Sequence, residues 1–224
     1  MKSFPLQKGL FVVFEGIDGS GKTSIAQGLY QQLIASSFPA LLTKEPGGSP
    51  LGTTLRKILQ EQKSALNEKT EFLLFAADRA QHIQEVIIPA LHDKKIIICD
   101  RFTDSSVVYQ GYGRGICQEM IKKINDWVTQ SIKPDIIFYI VIDSITAQKR
   151  MQQRGKLSSF DKESIDFFER LLQGYEQEFF NAPHVIKLDG KQPLNNLIEQ
   201  TFNYLITWIH THAAPTNSII HKRA

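Results

Sequence analysis

The chain has 224 residues, a formal net charge of +3, 42% hydrophobic residues and two cysteines, Cys99 and Cys117. That length and apolar content support one large domain with a real core, and a mild charge scattered without basic blocks does not call for nucleic acid, so no nucleic-acid partner is expected. No apolar run reaches membrane length and the N-terminus lacks a signal-peptide core, so the expectation is a cytoplasmic protein with reduced thiols and no membrane partner.

In chain order, the first element is an apolar strand, Leu10–Phe14, leading into Gly16-Ile17-Asp18-Gly19-Ser20-Gly21-Lys22-Thr23. This octet fits G-x-x-x-x-G-K-[ST], the phosphate-cradling P-loop, and a helix over Thr23–Ser36 follows it. The order strand, loop, helix is what the chemistry requires. Glycines let successive backbone N–H groups face an anion, and the helix N-terminus adds partial positive charge. Lys22 can then reach the β/γ-phosphates, and the Thr23 hydroxyl can ligate magnesium.

A second strand, Ala40–Thr43, ends in Lys44-Glu45-Pro46-Gly47-Gly48, and helical spacing covers Glu68–Leu91. A third strand, Lys95–Cys99, ends in Asp100-Arg101-Phe102. Helix Gln118–Gln130, strand Ile136–Ile142, helix Ile145–Arg154, helix Lys162–Phe180, strand Val185–Leu188 and helix Leu194–Thr211 complete the alternation. The strands are continuously apolar, as parallel strands covered on both faces are. The expected fold is therefore α/β: a three-layer P-loop NTPase fold with a five-stranded parallel sheet flanked by helices and a short lid. One domain would span residues 1–212, with the lid near 150–161 and a flexible polar tail over 213–224.

Ligands of such sheets collect at the carboxyl ends of strands, so the P-loop, the Lys44 loop and Asp100-Arg101 should converge on one crevice. Asp100, after Ile96-Ile97-Ile98, is placed to hold magnesium as a Walker-B-like acid. Arg101 and Lys44 lie beyond the first phosphate site and suggest a second anion, a phosphorylated acceptor. The competing role for Lys44 is a surface ion pair with Glu45. Phe75 and Arg79 share a helix face and can stack on a base and bond its edge; on the residues alone the stronger reading makes Phe75 an ordinary core residue and Arg79 a surface partner of Asp78. Arg150, Arg154 and Lys156 form a basic segment, followed by a helix-capping pattern at Asp161-Lys162-Glu163. Arginines arriving there on closure would stabilise a transferring phosphoryl group.

These motifs together make the chain resemble bacterial thymidylate kinases, of the nucleoside-monophosphate kinase group. The markers are F-E-G-I-D-G-S-G-K-T at Phe14–Thr23, K-E-P-G-G at Lys44–Gly48, L-L-F-A-A-D-R at Leu73–Arg79, D-R-F-T-D-S-S at Asp100–Ser106 and Y-Q-G-Y-G-R-G at Tyr109–Gly115. The resemblance implies phosphoryl transfer from ATP, with Mg²⁺, to dTMP for dTTP synthesis, by a homodimer. It implies that Phe75 stacks on thymine and Arg79 bonds its edge. Ser106 and Gln110 would lie near the base, and Tyr109 where a ribose 2′-hydroxyl would sit. Arg101 would bind the dTMP phosphate. Asp18 would meet the sugar 3′-hydroxyl or a magnesium-bound water, and the loop Asp189–Pro193 would hold adenine. Two departures stand out. Lys44 replaces the arginine usual before E-P-G-G, and Gly19 stands where some relatives carry a P-loop arginine. The second departure turns attention to Arg150 and Arg154 as catalytic cations. The rival activities are a nucleoside kinase, which would need a base for a neutral hydroxyl, and a nucleotide switch, whose N-K-x-D element is absent from the sequence.

Overall fold

Strands without a polar face must be covered on both sides, and that requirement organises the whole molecule. β1 (Leu10–Glu15), β3 (Ile96–Asp100) and β4 (Ile136–Val141) are almost wholly apolar and buried along their length. The computed structural model describes residues 6–61, 66–153 and 163–212. In it those strands form the centre of a five-stranded parallel sheet of order β2-β3-β1-β4-β5, with β2 (Ala40–Lys44) and β5 (Val185–Asp189) at its edges. Side-chain alternation sorts the core into two layers. Phe11, Val13, Ile97 and Tyr139 face Phe168, Leu171 and Tyr175 of α8 (Ile165–Glu178). Leu10, Val12, Ile98 and Phe138 face Ile25 and Leu29 of α1 (Lys22–Ala35) and Leu205 and Ile209 of α9 (Leu194–His212).

The expected α/β architecture is present, and the strand boundaries move by one residue at most places. Three helical segments depart from expectation. α2 (Pro50–Gln60) has two threonines and a glycine in its first half, which hides its periodicity. Its start signal is nonetheless regular: Ser49 caps it by accepting from the Gly52 N–H at 3.0 Å, and Pro50 opens the first turn. The expected helix Glu68–Leu91 is interrupted. α3 (Glu68–His82) widens into a π-helical turn over Ile83–Ile87 before α4 (Ile88–His92). Pro89 explains the break, because it lacks the N–H and its ring would strike the carbonyl one turn back. The third is the chain after β3, which coils through α5 (Thr103–Ser106) and a second π-helical turn, Val107–Gly113. α6 (Gln118–Val128) and α7 (Ser144–Gln153) lie where anticipated. α8 begins at Ile165, capped by Ser164 accepting from the Phe167 N–H, rather than by the Asp161-Lys162-Glu163 pattern. Arg154, Lys156 and most of the expected lid, and the expected tail over 213–224, lie outside the described residues. Among the described residues no helix is long and apolar enough to cross a membrane.

β1 lies between β3 and β4, so the chain direction across the sheet reverses at β1. Phe14 and Lys44 both pair in register with Asp100, which brings the ends of β1, β2 and β3 to one level. A crevice at the carboxyl ends of the strands is the expected product of such a reversal.

Candidate active site

The P-loop turns from β1 into α1 against the crevice. Lys22 folds back on the loop, donating to the Ile17 carbonyl at 2.8 Å and the Ser20 hydroxyl at 3.3 Å. Burial and then the nearby Arg101 charge pull its pKa down to about 8. An incoming polyphosphate would relieve both effects by supplying negative charge. Gly19 has φ +80°, and a Cβ there would lie 2.5 Å from the Ala147 carbonyl oxygen of α7, so the loop and that helix touch backbone to backbone. Arg150, one turn further along α7, donates to the Gly19 and Ser20 carbonyls at 3.5 and 3.4 Å and to the Gly190 carbonyl at 2.9 Å. It thus ties the P-loop to the loop after β5. The Ile17 side chain, by contrast, is fully buried in the core, so this position offers a phosphate only its backbone.

Thr23 and Asp100 meet across the β1–β3 boundary. The Thr23 hydroxyl donates to Asp100 Oδ2, while Asp100 Oδ1 is buried with no hydrogen-bond partner among the described residues. One residue on, Arg101 holds φ +77°, a left-handed backbone for a bulky side chain. Its guanidinium reaches the Gly16 carbonyl and Ser105 hydroxyl at 3.0 Å each, Asp18 Oδ1 at 2.9 Å and the Tyr109 hydroxyl at 3.1 Å. Tyr109 in turn donates to Asp18 Oδ2 at 2.9 Å and lies under the guanidinium. Although burial opposes ionisation, the Arg101 and Lys22 charges and these hydrogen bonds hold the Asp18 pKa down to about 2. Both oxygens of Asp18 are thus committed to orienting Arg101 and Tyr109, so direct metal contact there requires one of these bonds to be exchanged.

Beneath this layer sits Glu15, the last residue of β1, wholly buried. It accepts from the Phe102 N–H (2.8 Å), the Ser105 hydroxyl (2.6 Å) and the Tyr175 hydroxyl (2.9 Å). Burial raises its pKa, against the pull of Arg101 and these donors. Glu15 therefore joins the P-loop strand to the Asp100-Arg101 loop and to α8.

The far wall of the crevice is built from β2 and α3. Glu45 is buried and does not pair with Lys44. It accepts from Arg79 Nε at 2.8 Å and lies 2.9 Å from His82 Nδ1, whose Nε2 is 2.7 Å from the Thr43 hydroxyl. Arg79 is not a surface partner of Asp78 but a buried hub. It also donates to Asn125 Oδ1 (2.6 Å), the Phe102 carbonyl (3.0 Å) and the Ser106 hydroxyl (3.1 Å). Phe75 is half-buried and lines the crevice one turn from Arg79.

Asp78, wholly buried, accepts from the Gly47 N–H at 3.0 Å and leaves Oδ2 without a partner among the described residues. Burial and then the Glu45 carboxylate raise its pKa from 3.8 to about 6. A group easier to protonate in the fold than in the unfolded chain stabilises below its unfolded pKa and loses that contribution as pH rises through the folded one. Asp78→Asn removes the swing. On going from pH 8 to pH 5 the parent should gain on the order of 1 kcal/mol over the variant. Urea unfolding at both pH values measures this, and parallel stabilities would acquit Asp78.

Asp18, Gly19, Gly21, Lys22 and Thr23 line one end of a crevice of about 560 Å³, and Lys44, Phe75, Arg79, Ser106 and Gln110 line the rest, with Asp100, Arg101, Tyr109 and Arg150 between. Gly16, Ile17 and Ser20 stand behind the surface. Sequence reasoning missed Glu15, Asn125, His82 and Arg56. Arg56, on the unread helix α2, lines the crevice and donates to the Pro46 carbonyl at 2.8 Å. A charged residue closing an apolar strand was the available signal for Glu15.

Comparison with known proteins agrees with this fold. Residues 14–201 match the family model "Thymidylate kinase". A thymidylate kinase of Finegoldia magna is 38% identical over 197 residues, covering 88% of this chain and 97% of the relative. One of Halothermothrix orenii is 41% identical over 173 residues, covering 76% and 84%. The crystal structure of thymidylate kinase from Ehrlichia chaffeensis superposes with a TM-score of 0.73 at 32% identity, covering 88% of this chain and 98% of that one. With the family model spanning residues 14–201 and the two relatives 38% and 41% identical over most of their length, the chain belongs to the thymidylate kinase family.

Proposed function

We propose that this protein transfers the γ-phosphoryl group of ATP to the phosphate of dTMP, forming dTDP on the route to dTTP. The observation that carries this reading is the junction of two cationic sites, Lys22 in the P-loop and Arg101 with Arg56 beyond it, in one crevice. A single nucleotide needs only the first. The acceptor oxygen is already anionic, so no strong general base is required, and catalysis reduces to positioning and charge neutralisation. Lys22 holds the donor phosphates, Arg101 and Arg56 the acceptor phosphate, and Arg150 steadies the donor end. Arg154 would add a cation from the lid. Phe75 stacks on the base, Arg79, Ser106 and Gln110 meet its edge, and Tyr109 closes the space beside the sugar. Lys44, exposed at the rim, adds charge without a guanidinium fork.

The unpartnered Asp100 oxygen beside the Thr23 hydroxyl fits a hard divalent cation, so Mg²⁺ would be held by Thr23 and Asp100. When bound, Mg²⁺ neutralises charge on the donor phosphates. A homodimer is proposed from the family. The apolar pairs Phe72/Ile83 and Val107/Val108 are buried within one chain, whereas Leu73, Met120 and Trp127 are exposed and available to a partner. The proposed compartment is the cytoplasm, in keeping with free Cys99 and Cys117.

A coupled assay of ADP release across nucleosides and nucleoside monophosphates tests the activity. Turnover with dTMP should exceed that with thymidine by orders of magnitude, about 10² or more, because the neutral hydroxyl finds no base. Preference for thymidine, or ATP hydrolysis indifferent to any acceptor, would refute the proposal.

A further inference from the structure

Gln110 and Glu71 form a contact whose chemistry allows one polarity only. Gln110, buried on the π-helical turn after α5, donates from Nε2 to Glu71 Oε1 at 2.9 Å. A carboxamide can be turned end for end, but an ionised carboxylate can only accept. Glu71 therefore dictates that the NH₂ arm of Gln110 faces α3, which leaves the carbonyl arm for the crevice that Gln110 lines.

Glu71 itself is held in place. It is nearly buried, and Arg114 approaches both its oxygens at 3.5 Å. Arg114 is in turn fixed by Glu163 at 2.7 Å and by the Phe167 ring beneath its guanidinium. Glu71 also lies four residues before Phe75 and eight before Arg79, so the three share one face of α3, of which Phe75 and Arg79 line the cleft.

We infer that Glu71 is a positioning residue for base selection: it fixes Gln110 with its carbonyl toward the acceptor base, and so selects bases that carry an imide N–H. This rests on the reading above, in which Gln110 meets the edge of the base. Thymine and uracil donate from N3 and satisfy that carbonyl. Cytosine presents a lone pair at N3 and leaves two acceptors facing each other. Glu71 never touches the substrate; it acts by removing the alternative orientation of a residue that does.

Glu71→Gln restores the choice, because a second carboxamide can donate to the Gln110 carbonyl and turn its amide toward the crevice. The expected result is a rise of about tenfold or more in the KM for dTMP and a fall of about tenfold or more in the preference for dTMP over dCMP. The KM for ATP should stay within about twofold, and the dUMP-to-dTMP ratio should not move, since both bases share the N3–H. Thermal melting checks that the variant is folded. The exchanged pair E71Q/Q110E conserves charge and puts the donor on the other side of the contact. It again turns an acceptor to the base, so it should recover preference relative to E71Q alone; with Q110E measured as the other single variant, simple addition of the E71Q and Q110E losses would overturn the inference. Gln110→Ala separates the two layers of argument. If Q110A loses the discrimination and E71Q keeps it, the polarity lock is wrong while the base site stands. If both keep it, Gln110 does not read the base and both fall.

Discussion

Lys22→Ala should lower kcat by at least about 10²–10³-fold while leaving the protein as stable as its parent. The loss follows from the position of the ammonium group in the donor loop, where charge develops on the phosphates and no neighbouring side chain of the loop can replace it. The retained stability follows from what Lys22 does without ligand. Its bonds are to the Ile17 carbonyl and Ser20 hydroxyl of its own loop, and burial and Arg101 already disfavour its charge. Removing a cation whose folded pKa lies below its unfolded value takes away a penalty that operates at neutral pH rather than a support. Steady-state turnover and a melting curve on the same preparation give both numbers. Activity within tenfold of the parent would remove Lys22 from the mechanism.

Arg79→Ala should have the opposite signature, with stability and acceptor binding falling together. Four of the guanidinium contacts go to Glu45, Asn125, the Phe102 carbonyl and Ser106, all within the protein. Truncation leaves the Glu45 carboxylate buried with His82 as its remaining hydrogen-bond partner among the described residues, and loss of one partner of a buried pair costs about 3–5 kcal/mol. For a chain of this size that is a drop of roughly 10 °C in Tm. The KM for dTMP should rise by at least about tenfold, because Arg79 also sets Ser106 and the Phe102 loop at the acceptor end. Arg79→Lys separates charge from geometry: it keeps a cation for Glu45 but lacks the fork that reaches Asn125 and Ser106 at once. A near-parental Tm for R79A would mean that the buried network is not what holds the two walls of the cleft together.

The fold was legible because buried parallel strands cannot hide: Leu10–Phe14 and Ile136–Ile142 have no polar face, and nothing but a covered sheet accommodates them. The P-loop was legible because its glycines and Lys22 are required by local geometry. What escaped was either masked locally or organised over distance. α2 was obscured by Gly52, Thr53 and Thr54, and with it went Arg56. The break at Ile83–Ile87 had a visible cause in Pro89, but α3 and α4 flank it with unbroken helical spacing. Arg79 and Asp78 are neighbours in sequence, and proximity suggested a pair; the fold sends them to Glu45 and the Gly47 N–H instead. Glu15 carries no local sign of its donors, which come from residues 87 to 160 positions away. Partner choice among buried charges is a tertiary property, settled by which strand ends the sheet order makes adjacent.

The backbone contact between Gly19 and Ala147 has a bearing on how this enzyme can diverge. Any side chain at position 19 must push α7 outward, and α7 carries the guanidinium that rests on the carbonyls of Gly19 and Ser20. Two arginines, one in the loop and one on the helix, would compete for the same corner. Lineages that move positive charge from one place to the other must therefore change both positions in concert, since either step alone leaves the corner overfilled or uncharged.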